Sequence, residues 1–294
     1  MISIIECPVC KNTDLQLLTR CIDFTVSHET FTVQLCKNCN LGITTPRPED
    51  DQLGNYYRSE EYVSHSGKTS GGIGFVYKIA RIFTLNWKKN LIQKYSKTGS
   101  ILDFGCGTGE FLNSMKNSGW AIDGVEPSDG ARAKAQQLTS QKISEKLSTQ
   151  NQFDVITAWH VVEHVPNLNE TVSKLKSHLK RNGIVFIAVP NFESPDAKKY
   201  HEHWAAFDVP RHLWHFSKKS MTQILTQNRL KLIDIVPMKL DAYYVSLLSE
   251  KYKNNNALTV GTILRALFAG FKSNINARNT NNSSLIYIAK ADEI

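Results

Sequence analysis

The sequence predicts an α/β protein, a mostly parallel sheet wrapped in helices, with a small metal-bearing module ahead of it. Three observations carry that prediction. From about Ser100 onward, apolar runs of strand length alternate with helix-forming stretches, the signature of parallel strands joined by crossover helices. One run, Ile101-Leu102-Asp103-Phe104, breaks into Gly105, Gly107 and Gly109 and resumes as Glu110-Phe111-Leu112, which reads as buried strand, tight turn and helix start. Near the N-terminus four of the six cysteines fall in two Cys-x-x-Cys pairs, a spacing at which four thiolates reach one tetrahedral zinc.

The 294 residues allow a main domain with a sizeable core plus a small appendage. Hydrophobic content of 41% and charged content of 21% are ordinary for a globular chain. No apolar run is long enough for a transmembrane segment, and Met1 to Glu6 lacks the basic and apolar regions of a signal peptide; a cytoplasmic protein is expected. The formal charge of +8 hints at phosphate-bearing partners. However, the basic residues are spread (Lys88, Lys89, Lys94, Lys97, then Lys174, Lys176, Lys180, Arg181) with no dense run. No sequence signal bears on oligomeric state.

In chain order, Cys7-Pro8-Val9-Cys10 and Cys36-Lys37-Asn38-Cys39 flank strand-like Leu15 to Leu18 and Thr30 to Leu35, so residues 1–46 read as a zinc ribbon. Asn12 and Asn40 suit tight turns around a metal. Disulfides would need an oxidising compartment, and a redox site would need a thioredoxin-like context. A closed four-cysteine site, Cys7, Cys10, Cys36 and Cys39, leaves no open coordination position, so its zinc is structural. Residues 47–98 form a helical linker: Pro46-Arg47-Pro48 ends the ribbon, Tyr56, Tyr57 and Tyr62 precede a polar loop from Ser64 to Gly72, and a helix runs from about Phe75 to Tyr95. Residues 99–294 form the main domain.

The glycine turn departs from the dinucleotide fingerprint, because the last required small residue falls on Glu110. A second strand, Ala121 to Val125, ends in Glu126, and Pro127-Ser128 caps a helix over Gly130 to Leu138. A short third strand is expected near Lys142 and Ile143. Asp103, the three glycines and Glu126 resemble motif I and the acidic second-strand end of class I S-adenosylmethionine (SAM) dependent methyltransferases. That resemblance implies a Rossmann-like, seven-stranded sheet, mostly parallel with the last strand antiparallel. It also implies that Asp103, Gly105, Cys106, Gly107 and Gly109 pass beside the methionine part of SAM, that Glu126, followed by Pro127, holds the ribose hydroxyls, and that 47–98 covers the pocket, with Tyr62 lining it.

The fourth strand, Phe153 to Trp159, runs into His160-Val161-Val162-Glu163-His164-Val165-Pro166. His-x-x-Glu-His is also an inverted zinc-protease signature, but that site needs a helix, which two valines and Pro166 disfavour. The stretch resembles the strand-four region of SAM methyltransferases, which implies that Trp159 and His160 border the cofactor and Glu163-His164 the acceptor. Some relatives bind a metal through Glu-x-x-Glu-His; here His160 stands at the first position. A fifth strand, Ile184 to Val189, is apolar throughout and stops at Pro190, as a strand buried on both faces does.

Four of the nine histidines then crowd into His201 to Phe216. Its Pro-Arg-His-Leu-Trp-His-Phe-Ser end resembles a segment of zinc-ribbon methyltransferases that lies over the active-site mouth, which implies histidine contact with substrate. A helix at Lys218 to Gln227 and strands at Leu230 to Val236 and Leu285 to Ala289 complete the sheet. The stripe Val260, Leu264, Leu267 and Phe271 suits either a face packed on the domain or a membrane-surface helix.

The resemblance implies in-line transfer of the SAM methyl to a small-molecule acceptor, a sugar or other biosynthetic intermediate. A hydroxyl or activated carbon acceptor needs a nearby base; His164 and His212 are the expected candidates, with Glu163 assisting. A second reading is an RNA base methyltransferase in which the ribbon recognises nucleic acid. A third, a non-catalytic SAM-binding protein, sits poorly with intact Asp103, Gly105, Gly107 and Glu126.

Overall fold

The computed structural model describes residues 1–57, 72–147 and 150–292, with side chains at all but 72–81 and 279. Tyr62 and most of the polar loop after it lie outside the described residues. The chain begins with strands β1 (Leu15–Ile22), β2 (Thr30–Cys36) and β3 (Gly42–Thr44), then a 3-10 turn at Leu53–Tyr57. Helix α1 (Gly72–Tyr95) leads into β4 (Ser100–Phe104), α2 (Glu110–Lys116), β5 (Ala121–Val125) and α3 (Asp129–Thr139). Next come β6 (Phe153–Trp159), α4 (Leu168–Ser177), β7 (Leu179–Pro190), α5 (Pro195–Tyr200) and β8 (Trp214–His215). The chain closes with α6 (Lys218–Gln227), β9 (Leu230–Pro237), α7 (Asp241–Lys253), α8 (Val260–Asn276) and β10 (Ser284–Ala291).

The larger sheet has the order β5-β4-β6-β7-β10-β9. β4 pairs in parallel with β5 and β6, β6 with β7, and β10 runs antiparallel to both β7 and β9. Period-two alternation sends Leu102, Ile156, Val185, Ile187 and Leu285 to one face, where α4 and α6 cover them with Leu168, Val172, Leu175, Met221 and Ile224. Ile101, Val155, Phe186, Ala188 and Ile286 face the other way, onto Leu91 and Ile92 of α1 and Phe111 and Met115 of α2. The third strand expected near Lys142 is reduced to one bridge, Val125 to Ser144. Ile143 is the one apolar residue between Ser140 and Lys146, so a longer strand there has nothing further to bury.

The smaller sheet has the order β1-β2-β3-β8. Its last strand comes from the histidine-rich run: Gly42 pairs with His215 and Ile43 with Trp214. Only glycine fits at 42, since a Cβ there would stand 2.8 Å from the His215 Cβ. The ribbon also shares its core with the main domain, Cys7, Cys36, Cys39, Leu41 and Ile43 clustering with Val162, Leu213 and Trp214. The first half of the run supplies packing: Trp204, Phe207 and Val209 are buried with Phe31 and Val33 of β2 and Val245 of α7.

Candidate active site

β4 delivers the glycine turn to the carboxyl edge of the sheet. The amides of Gly105 and Cys106 donate to the Val125 carbonyl at 2.7 and 3.0 Å, folding the turn across the end of β5. Gly105 and Gly107 both adopt positive φ, +75° and +56°, but their surroundings differ. A Cβ on Gly105 would overlap Val161, whereas one on Gly107 meets nothing within 4 Å. The backbone at Gly107 therefore faces open space. Beside it, Glu126 accepts from the Gly107 amide at 2.8 Å and the Ser128 amide at 2.9 Å. Each carboxylate oxygen keeps a further lone pair for a ligand hydroxyl.

An open cradle over Gly107 that a Cβ would fill, with two carboxylate acceptors at its rim, fits a nucleoside with a free ribose diol. Pro127 lies exposed next to it. Cys106 offers only its backbone, because its side chain packs with Leu112, Ala135 and Ile143. Asp103 sits beneath the turn and accepts the Thr157 hydroxyl at 2.6 Å. Burial pushes its carboxyl up to about 7, against the Thr157 bond and the charge of Lys88. Lys88 reaches in from α1, its Nζ 4.2 Å from the centre of the Trp159 ring, and Trp159 meets Phe111 edge-on.

At the end of β6 the chain turns through His160, at φ +56°. His160 is clamped between two acids: Nδ1 lies 3.2 Å from Glu163 Oε1 and Nε2 3.0 Å from Asp241 Oδ2. Burial alone would lower its pKa, but the bonds to Asp241 and Glu163 raise it to about 9, so the ring is an imidazolium donating from both nitrogens. Its side chain is committed to orienting Glu163. In Glu163 burial pushes the carboxyl up, yet the bond to His160 and the nearby His212 and His164 outweigh it and leave the group below the usual range. Glu163 is fully buried, and its Oε2 has no hydrogen-bond partner among the described residues.

Two imidazoles stand beside that carboxylate. His164 Nδ1 is 3.1 Å from the Arg211 carbonyl and 3.0 Å from the Tyr57 hydroxyl. A carbonyl only accepts, so Nδ1 carries the proton and Nε2 keeps its lone pair. Burial and the adjacent His212 draw His164 down to about 4, leaving it neutral at pH 7. His212 meets His164 edge-on at 4.5 Å between ring centres and donates from Nδ1 to the Ala206 carbonyl at 2.9 Å, while its Nε2 lies 3.9 Å from Asp208 Oδ2. One ligand atom from each of Glu163, His164 and His212 lies within 4.8 Å of the others. That set can take a divalent cation or the hydroxyl of an acceptor.

The ribbon braces this cluster. Glu163 O accepts from the Leu213 amide at 2.8 Å, while Thr44 Oγ1 of β3 donates to the His212 carbonyl at 2.7 Å and lies 2.9 Å from His215 Nε2. Arg211 is buried, bonded to Asp23 at 2.9 Å, Asp208 at 2.7 Å and the Tyr56 carbonyl at 3.0 Å. His201 and His203 stay outside the cluster; His203 stacks on Phe24. Sequence reasoning did not single out Lys88, Asp241 or Tyr57 as site residues. Asp241 is 81 residues from His160, so no spacing pattern links them. The tyrosine-rich stretch was a signal, but the one brought to His164 is Tyr57.

Cys7, Cys10, Cys36 and Cys39 place their sulfurs within 4.8 Å of one another, with Cys7–Cys39 at 3.5 Å and Cys10–Cys36 at 3.4 Å. Zn–S bonds of about 2.3 Å give tetrahedral edges of about 3.8 Å, so the donor set fits zinc. Lys11 and Asn40 take positive φ where the chain turns back after each pair, and their amides donate to the Cys7 and Cys36 carbonyls.

A family model described as "Methyltransferase domain" matches residues 77–235, more than half of the chain. Among curated proteins the chain is similar to ubiquinone biosynthesis O-methyltransferases. One from Glaesserella parasuis is 30% identical over 106 residues, 31% of this chain and 45% of its own length. One from Pelagibacter ubique is 28% identical over 203 residues, 60% of this chain and 82% of its own. The chain spans about half the length of most of these relatives. Among solved structures, geranyl diphosphate C-methyltransferase from Streptomyces coelicolor, in complex with Mg2+, geranyl diphosphate and S-adenosyl-L-homocysteine, shares the fold. Its TM-score is 0.50 at 14% identity, over 82% of this chain and 88% of that one. With the family model spanning the glycine turn, Glu126 and the Glu163-His164 loop alike, the chain belongs to the class I SAM-dependent methyltransferases.

Proposed function

We propose that the protein transfers a methyl group from SAM, by in-line displacement, to a hydroxyl or activated carbon of a small-molecule acceptor. The observation that carries this reading is Glu163 Oε2, a buried carboxylate oxygen without a partner among the described residues, next to a neutral His164. An unsatisfied buried acceptor is costly; a hydroxyl donating to it would remove that cost and place its oxygen beside the imidazole nitrogens. Bound SAM supplies an electrophilic methyl on a sulfonium. The chain's own part is to grip the ribose at Glu126, align the acceptor between Glu163 and the two imidazoles, exclude water, and accept a proton at Nε2 of His164 or His212. The O-methyltransferase names of the relatives favour a small acceptor, and a zinc site built of four thiolates suits a reducing, cytoplasmic setting. Zinc in the ribbon is structural.

The RNA reading retains support from the +8 charge alone. The test uses labelled SAM with the small-molecule and RNA fractions of a cell extract. Label is expected in the small-molecule fraction, and Glu163→Gln and His212→Ala are expected to lower turnover by roughly 10²–10⁴, with S-adenosylhomocysteine affinity unchanged by calorimetry. Label in RNA would favour the second reading. Full turnover in both variants would remove the cluster from the mechanism.

A further inference from the structure

Helix α8 is packed with its small residues inward and its large ones outward. Thr262, Ala266, Ala269, Gly270 and Ser273 are its buried residues. Contact with α7 is so close that a Cβ on Gly270 would stand 2.8 Å from the Tyr243 Cα. Val260, Leu264, Leu267, Phe268, Phe271 and Ile275 are left 51–75% exposed. They cover an arc of about 100° along a helix of roughly 25 Å. A surface helix ordinarily buries such an arc.

Charge tells what the arc fits. From Lys251 to Ala291 the chain holds six basic residues and no acidic one. Arg265 and Lys272 are exposed and fall beside the apolar arc on the helical wheel. The one acid paired with Arg265 is Glu250, itself buried and shared with Lys199. A second copy docked on this stripe would bring basic residues against basic residues with no acid to meet them. Six side chains also offer only on the order of 600 Å², short of the ~800 Å² per partner of a stable protein pair. An anionic bilayer has neither problem: acyl chains take the apolar arc and headgroup phosphates take Arg265 and Lys272.

We propose that α8 is a membrane-surface anchor, lying in the plane of an anionic bilayer without crossing it. Contacts join the anchor to the candidate site. Asn274, near the C-terminal end of α8, donates to the Lys239 carbonyl at 2.9 Å. Lys239, Leu240 and Asp241 line an apolar groove of about 390 Å³ with Phe83 and Trp87, and Asp241 is the acid that holds His160.

The test is co-sedimentation of the full chain with vesicles of phosphatidylcholine, with and without phosphatidylglycerol. Binding is expected on the mixed vesicles and at least tenfold weaker on phosphatidylcholine alone or at high salt. A Leu264→Ser, Phe268→Ser double variant, which leaves the packed face untouched, is expected to lose binding at least tenfold with its Tm and S-adenosylhomocysteine affinity retained; Lys272→Glu is expected to weaken binding on the mixed vesicles only. Absence of binding to the mixed vesicles, or a double variant that binds like the parent, overturns the proposal. So does a dimer in analytical ultracentrifugation that the double variant converts to monomer, which would assign the face to a second copy.

Discussion

Replacing Gly107 by alanine separates what the glycine turn does for folding from what it does for the cofactor. Alanine at φ +56° costs about 1–2 kcal/mol of backbone strain, and the added methyl meets no atom within 4 Å. A loss of 1 kcal/mol lowers Tm by roughly 2–4 °C in a chain of this size, so Gly107→Ala should melt about 2–8 °C early. The methyl nevertheless enters the cradle that a nucleoside needs, and an affinity loss of at least tenfold, about 1.4 kcal/mol, is expected. Gly105→Ala has the opposite profile: similar strain, plus overlap with the Val161 side chain, which adds ~1–3 kcal/mol of overpacking. Differential scanning calorimetry and titration with S-adenosylhomocysteine read both quantities. If Gly107→Ala binds the ligand as the parent does, no nucleoside passes over residue 107, and the cofactor reading fails with it.

Two further outcomes follow from the clamp and the ribbon. The raised pKa of His160 means that its contribution to stability is complete below about pH 6.5, where the unfolded ring is also protonated, and is lost as pH rises through about 9. Asp241→Asn should therefore flatten the decline of Tm between those limits, and proton NMR should move the His160 titration down; a parent ring titrating near 6.5 would refute the clamp. Cys10→Ser, or chelation of the ribbon metal, should release β3 and with it the Thr44 bond to the His212 carbonyl. Turnover should fall at least about tenfold while S-adenosylhomocysteine affinity stays within about threefold, with mass spectrometry reporting metal content; a metal-free protein of full activity would sink this link.

Local signals carried most of the fold. The strand-turn-helix unit at Ile101 to Leu112 was legible because burial and glycine conformation are written into adjacent residues. β7 was legible from Ile184 onward, but it begins at Leu179, since residues around Gly183 bulge against Phe153 rather than turn free. The cofactor side of the site is local too, with Glu126 reached by the amides of Gly107 and Ser128. The acceptor side is not. His160 with Asp241, His164 with Tyr57, and Arg211 with Asp23 are joined only by the tertiary arrangement, and no periodicity or spacing encodes such pairs. For α8 the sequence showed an apolar stripe but not which face packs; small residues won the inward side because α7 comes too close for anything larger.

The pairing of β3 with β8 sets where this enzyme can be cut. Similarity to the methyltransferase domain starts at residue 77, yet Thr44 bonds to the loop that carries His212 and Tyr57 to the loop that carries His164. Trimming the chain to its recognisable domain would keep the glycine turn and Glu126 but remove Thr44 and Tyr57 from beside His212 and His164. If the proposed base cluster is correct, the smallest catalytic unit includes the strand that carries Thr44.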